Sequence, residues 1–288
     1  MRNFRLGSNH THMDRPAEQP ADDQAAHAVK ILQLTDTHCY ADPGKTLLGL
    51  NTEQSFQAVL RLAQRRHWPA DLILATGDLV HDGSAQGYQR LKRHLADTGV
   101  PVYPLPGNHD DRDRLVQILN GGNLRAERSA RYCDWQIVLL DSTVPDQAAG
   151  LLGPGELEHL ERCLSEYPDR HALVCLHHHP VPIGSRWMDA MGLLNASEFL
   201  KVLDRHAQVR GVLWGHIHQE FNAERKGVKL LGSPSTCVQF KPRSEAFALD
   251  ETPPGYRWLT LYSDGTLDTG VSRLDGFPRE INLHSTGY

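Results

Sequence analysis

From Ile31 the chain alternates short apolar runs with amphipathic stretches, the pattern of strand and helix units in an α/β layered domain. The runs are ILQL, DLILAT, VPVYPLP, WQIVLLD, ALVCL, VRGVLW and VKLL. Between them, Thr52 to His67 places Phe56, Val59, Leu60 and Ala63 at i, i+3, i+4 and i+7, and Glu156 to Tyr167 places Leu157, Leu160 and Leu164 likewise, so both predict helices. Asn195 followed by Glu198 has the form of a helix start, opening a segment whose Phe199, Leu200 and Leu203 share a face; Gly211 then returns the chain to strand. After His218 the stretches GVKLLGSPS and YRWLTLYSDGTLDTGVSRL, with the turn Asp264-Gly265, predict antiparallel hairpins. The expectation is one domain over residues 29–288 in which two sheets face each other with helices outside, the runs before the midpoint in one sheet and the later runs in the other. Residues 1–28 show neither a helical nor a strand period and carry both charge signs, which predicts a mobile polar tail whose His10, His12 and His27 are solvated.

At 288 residues and 40% hydrophobic composition core size is not limiting, and no apolar run approaches the ~20 residues of a membrane span. Thirty Lys and Arg against 35 Asp and Glu leave a net charge of -5, so no excess positive potential holds a polyanion, and nucleic acid is not expected as a partner. The five cysteines are odd in number, widely spaced and without a C-x-x-C pair. They read as reduced core thiols. With no signal-peptide core in the first 29 residues, they point to the cytoplasm. The 17 histidines are unusual, because several are bunched, and clustered imidazole suggests metal.

Five polar clusters each follow an apolar run, which puts them at strand C-terminal ends, where α/β folds bind ligands. They are Thr35-Asp36-Thr37-His38, Gly77-Asp78 continuing to Gly83, Gly107-Asn108-His109-Asp110, His177-His178-His179-Pro180, and Gly215-His216-Ile217-His218. In an extended chain, period 2 projects Asp36 with His38, and His216 with His218, to one side, as two ligands of one ion require, while Ile217 points to the core. Each cluster alone has a bland reading as a turn or a cap. Five together do not. Carboxylate, amide and imidazole donors without thiolate suit Mn, Fe, Zn or Co, and six or seven such ligands exceed one tetrahedral ion, implying two ions that share a carboxylate. Thr236, Cys237, Gln239 and Lys241 either line a ligand pocket or form a loop packed under the sheet, and Cys39 reads as packing.

The order D-x-H, G-D-x-x-x-D-G, G-N-H-D, a His cluster before Pro and G-H-x-H resembles the calcineurin-like metallophosphoesterases. Beyond those motifs, LLGLNTEQSFQAVL, ATGDLVHDGS, LPGNHD, CLHHHPVP, WGHIHQE and PSTCVQFKP look like the bacterial class III 3′,5′-cyclic-AMP phosphodiesterases of the CpdA type, over about Val29 to Tyr288. The resemblance implies a four-layer α/β/β/α sandwich of two facing mixed sheets flanked by helices. It implies two divalent or mixed-valence ions, Fe or Mn first and Zn or Co second. Asp36, His38, Asp78 and His218 would hold one, and Asp78, Asn108, His177 and His216 the other, with His178 the alternative to His177. His38, Asp78, Asn108, His109, His177 and His218 would meet the substrate, a cyclic nucleotide, and a water bridging the ions would attack phosphorus. His109, oriented by Asp110 or Asp82, would protonate the departing 3′-oxygen, which makes His109 and Asp110 the expected catalytic pair. A monomer or homodimer without membrane attachment is expected, lowering cellular cyclic AMP.

Overall fold

The structure, a computed structural model, describes residues 28–276 and 281–287. All but the last residue of the predicted polar tail lies outside the described residues. In chain order the strands are β1 (Val29–Leu34), β2 (Thr46–Leu47), β3 (Leu50–Asn51), β4 (Leu72–Thr76), β5 (Val102–Leu105), β6 (Ser129–Tyr132), β7 (Trp135–Leu139) and β8 (His171–Cys175). They continue as β9 (Val209–Trp214), β10 (Phe221–Arg225), β11 (Val228–Gly232), β12 (Gln239–Phe240), β13 (Leu249–Asp250), β14 (Gly255–Leu261) and β15 (Leu267–Arg273). The helices are α1 (Thr52–Arg66), α2 (Ala85–Ala96), α3 (Arg112–Ile118), α4 (Pro154–Glu166), α5 (Arg186–Asp189) and α6 (Ala196–Leu203).

Two mixed sheets carry the fold, one in the order β15-β14-β1-β4-β5 and the other β10-β11-β9-β8-β7-β6. The near-continuous apolar runs are explained by strands buried on both faces. Ile31, Leu72 and Leu74 point inward against Ile137, Leu139, Leu173 and Cys175 of the opposite sheet. Their neighbours Leu32, Ile73 and Ala75 point outward onto Phe56 and Val59 of α1, Leu91 and Leu95 of α2 and Leu115 of α3. On the second sheet Val138, Val174 and Val212 turn outward onto Leu160 and Leu164 of α4 and Phe199 and Leu203 of α6. This is the expected four-layer arrangement, and each such buried side chain contributes roughly 1.5–3 kcal/mol.

Membership of the sheets departs from the expectation. The C-terminal hairpin β14–β15 joins the first sheet, β14 lying antiparallel to β1 with Ile31 opposite Leu259. Trp135–Leu139, although before the midpoint, lies parallel to β8 in the second sheet. An apolar run records burial but not its partner, and partner choice here spans more than 200 residues. The seam between sheets is tied by the buried Arg257, which donates to Ser233 Oγ (3.0 Å) and the Gly232 carbonyl (2.8 Å) across the seam.

The predicted α1 is present and capped by Asn51, whose side chain accepts from Gln54 N. The helix start at Asn195 is also present, but its side chain makes no capping bond. Instead it accepts from Leu152 N (3.0 Å) and donates to the Leu152 carbonyl (2.8 Å), anchoring the loop before α4. The strand containing Gly211 begins two residues earlier, at Val209. All five cysteines are free thiols; Cys133 is exposed in the β6–β7 turn and the rest are buried. Burial pushes the Cys39 thiol up to about 12, which fits packing.

Candidate functional site

All five polar clusters do follow strand C-terminal ends: β1, β4 and β5 in one sheet, β8 and β9 in the other. The edges of the two sheets bring them to one place. The backbones approach so closely that glycine is required. A Cβ on Gly107 would sit 2.2 Å from Asp78 Oδ1, and one on Gly77, at φ +92°, 2.4 Å from His177 Nδ1.

The side chains converge by a route the sequence reading did not foresee. Asp36, His38, Asp78, His216 and His218 have φ of 53°, 45°, 50°, 67° and 45°, so the chain there is left-handed and not extended. Such conformations in bulky residues persist only where surrounding contacts over-determine them, as at functional sites. The alternation argument for a shared side therefore fails for His216 and His218: His216 gathers with His177 and His178, and His218 with His38. Ile217 between them is buried as expected.

Asp36, His38 and Asp78 form a buried cluster whose ligand atoms lie within 4.8 Å of one another, and so do His177, His178 and His216. The Asp78 carboxylate stands between them, its Oδ2 3.7 Å from His38 Nε2 and 3.3 Å from His177 Nε2. Its Oδ1 accepts from His109 N at 2.9 Å. His218 Nε2 lies 3.3 Å from Asp36 Oδ1 and 3.2 Å from His38 Nε2. Burial would raise the Asp78 carboxyl, but the imidazoles of His177, His109 and His38 hold it well below the usual carboxylate range. Burial holds His38, His178 and His216 well below the ordinary histidine value, hence neutral and able to offer a lone pair. His177 is also desolvated, yet Asp78 beside it raises it to about 9.

The far nitrogens of three rings are fixed by main-chain carbonyls. His177 Nδ1 faces Thr76 O (2.9 Å), His218 Nδ1 faces Val238 O (2.8 Å) and His216 Nε2 faces Met191 O (3.1 Å). Each carries a proton there, so in the neutral ring the other nitrogen is bare toward the cluster, the arrangement of metal-bound histidine; for His177, which Asp78 favours in the protonated form, a cation would take the place of the proton facing Asp78. The buried Asn108 Oδ1, His177 Nε2 and His178 Nε2 have no hydrogen-bond partner. Buried polar atoms are normally satisfied. A cation would satisfy them, so the residues fit a metal site. His177 touches Asp78, whereas His178 Nδ1 is engaged by Ser142 Oγ at 2.7 Å.

The two carboxylates expected to orient His109 are engaged by other groups. That of Asp110 accepts from the backbone N–H groups of Leu79 (3.0 Å), Val80 (3.0 Å) and Gly107 (2.9 Å) and from the Tyr88 hydroxyl (2.8 Å). These contacts staple the loop after β5 to the loop after β4. Burial and the Asp78 charge push Asp110 up to about 6. Asp82 is likewise engaged, by Ala41 N (3.0 Å) and Ser84 Oγ (2.6 Å). Imidazoles flank the His109 ring, which stacks on His81 with centroids 4.4 Å apart and meets His38 edge-on at 5.0 Å.

A cavity of about 1080 Å³ opens beside the cluster. His81, Asn108, His109, Arg112 and Arg114 line its polar part, and Val144, Trp187, Met188, Met191 and Phe247 its apolar part. Thr236, Cys237, Gln239 and Lys241 are not among its lining residues. Of the two readings the structure has Thr236, Cys237 and Gln239 packed under the sheet, with Thr236 N bonded to Thr35 O (3.1 Å) and Ser55 Oγ to Thr236 O (2.6 Å), while Lys241 is exposed. The apolar wall and His81 were missed; of the two, only His81, inside the ATGDLVHDGS run, carried a signal in the sequence.

The description calcineurin-like phosphoesterase belongs to the family whose profile matches residues 29–220. The chain belongs to the calcineurin-like phosphoesterases. This calcineurin-like phosphoesterase is 43% identical over 276 residues to the 3′,5′-cyclic adenosine monophosphate phosphodiesterase CpdA of Pseudomonas aeruginosa, covering 96% of this chain and 100% of that one. It is 44% identical over 261 residues to the protein of the same name from Escherichia coli K12, covering 90% and 95%. Among solved structures, a dimetal phosphatase from Danio rerio superposes with a TM-score of 0.58 at 16% identity, covering 81% of this chain and 95% of that one, a likeness of fold. Among the described residues no helix is long and apolar enough to cross a membrane.

Proposed function

We propose that the protein hydrolyses 3′,5′-cyclic AMP to 5′-AMP at a centre of two divalent cations, and so lowers the cellular level of that nucleotide. The observation that carries this reading is the full-length likeness to relatives bearing that activity in their names, 43% over 96% of the chain and 44% over 90%. Asp36, His38, Asp78 and His218 would hold one cation, and Asp78, Asn108, His177 and His216 the other. Oxygen and imidazole donors without thiolate favour Fe or Mn, with Zn or Co as the alternatives. When bound, the cations supply Lewis-acid charge to the phosphodiester and bring a water's pKa toward neutrality.

The remaining work falls to the chain. Asp78 holds the two halves of the cluster together, and Asn108 ligates as a neutral amide, leaving positive charge to face the phosphate. His109, at the cavity wall, donates the proton that the departing 3′-oxygen needs. The apolar wall of Trp187, Met188, Met191 and Phe247 excludes water and offers a surface for the base. Five unpaired thiols support a cytoplasmic location.

Side-by-side assays of purified protein on cyclic AMP, cyclic GMP and an aryl phosphodiester, with metal analysis of the same sample, test the proposal. Cyclic AMP should be turned over with the highest kcat/KM and yield 5′-AMP. Equal rates on all three would replace it with a broader phosphodiesterase, and hydrolysis by metal-free protein would remove the mechanism.

A further inference from the structure

Of the four imidazoles in the proposed ligand sets, His177, His216 and His218 have the far nitrogen held by a main-chain carbonyl. His38 is arranged differently. Its Nε2 is the edge turned to the cluster, 3.2 Å from His218 Nε2 and 3.7 Å from Asp78 Oδ2. Its Nδ1 lies 3.0 Å from Nδ1 of His81, a side chain at the cavity wall. Two neutral imidazole nitrogens at that distance share one proton, one donating and the other accepting. His38 must be bare at Nε2 to ligate, so its proton sits on Nδ1 and His81 Nδ1 is the acceptor. The His81 proton is then on its own Nε2. The same ring stacks on His109 at 4.4 Å with planes 21° apart.

We infer that His81 is a positioning residue that sets the tautomer and ring orientation of His38 and braces the plane of His109, joining the ion-holding and proton-donating parts of the site through one side chain. The inference rests on the metal-centre reading above. Outer-shell partners of ligating histidines are generally worth 10–100-fold in metal affinity. Here the partner is a side chain, so substitution can remove it; for the other three rings it cannot.

The test measures Mn2+ binding by the metal-stripped full-length chain, as wild type, His81→Leu and His81→Asn. Asparagine keeps an oxygen acceptor at the δ position, where the imidazole has Nδ1; leucine has none. His81→Leu should weaken Mn2+ binding at one site by roughly 10–100-fold, and His81→Asn should restore most of it. Filling space alone would not separate the two variants. Wild-type affinity in His81→Leu, or equal losses in both, overturns the inference. A wild-type chain that binds no Mn2+ would overturn the metal centre itself, a different result from an intact centre indifferent to His81. As a measurement independent of variant folding, long-range 1H–15N spectra of the Zn2+-loaded wild type should place the His38 proton on Nδ1 and the His81 proton on Nε2. The reverse pattern overturns the inference.

Discussion

His109 combines a fixed main chain with a ring at the cavity wall: its N–H is anchored on Asp78 Oδ1 while the imidazole is braced by His81. A residue so placed can lose its ring and keep the main-chain hydrogen bond that positions the carboxylate. His109→Ala should therefore lower kcat by ~10²–10⁴ with metal content by mass spectrometry unchanged, and a full rate would exclude it as the proton donor. Gly107 is the converse case, a residue with no chemistry on which the geometry depends. The Cβ of Gly107→Ala would meet Asp78 Oδ1 at 2.2 Å, so the shared carboxylate must move. Displacement on that scale costs about 10²-fold in rate, here accompanied by lost metal; wild-type metal content would contradict the close approach. Asp36, His38, Asp78, Asn108, His177, His216 and His218 could all be picked out as candidates from the sequence because a turn at a strand end is local. What was not legible was conformation: an extended D-x-H and a left-handed one read identically as letters, and only tertiary contacts select the second.

At the scale of elements, Asp110 binds two loops together, since three backbone N–H groups and a phenol converge on one carboxylate. Asp110→Ala leaves these donors unsatisfied at about 1–3 kcal/mol each. Its melting temperature should fall well below that of wild type; an unchanged melt with lost activity would restore the proton-relay role read from sequence. The hairpin β10–β11 is tied to α6 by charge. Asp204 caps the helix C-terminus, where an acid opposes the dipole, and is compensated by Arg225 Nη2 (2.9 Å) and Lys226 Nζ (2.7 Å). These hydrogen bonds hold its carboxyl well below the usual aspartate range. A depressed folded-state pKa means the contribution is complete above the unfolded value near ~3.9 and lost as pH falls through the folded one. The melting difference between wild type and Asp204→Asn should accordingly be constant near neutrality and shrink below about pH 4; a difference that persists there would assign it to packing. The helices at Thr52 and Pro154 were legible from their apolar stripes, whereas Asn195 shows that a capping pattern can be recruited by a distant loop.

Over the whole molecule, the first sheet supplies Asp36, Asp78 and Asn108 and the second supplies His177, His216 and His218. Ions bound there would contact both sheets and would not be held by the unfolded chain, so binding at a thousand times Kd would add about 4 kcal/mol. Chelation should lower the melting temperature and metal return should restore it; an indifferent melt would mean the ligands do not grip ions in the folded state. The assignment of strands to sheets was the part hidden from the sequence, because Ile31 and Leu259 carry nothing in their neighbourhoods that names each other. The distribution of sulfur has a practical consequence. Trp135 opens β7 beside His171, the first residue of β8, so the β6–β7 turn lies at the opposite end of the sandwich from the cavity. With Cys133 there the one solvent-exposed thiol, a maleimide dye applied to the native chain should attach at a single point remote from the chemistry, giving a labelled protein whose activity is that of the unlabelled one without redesigning the chain.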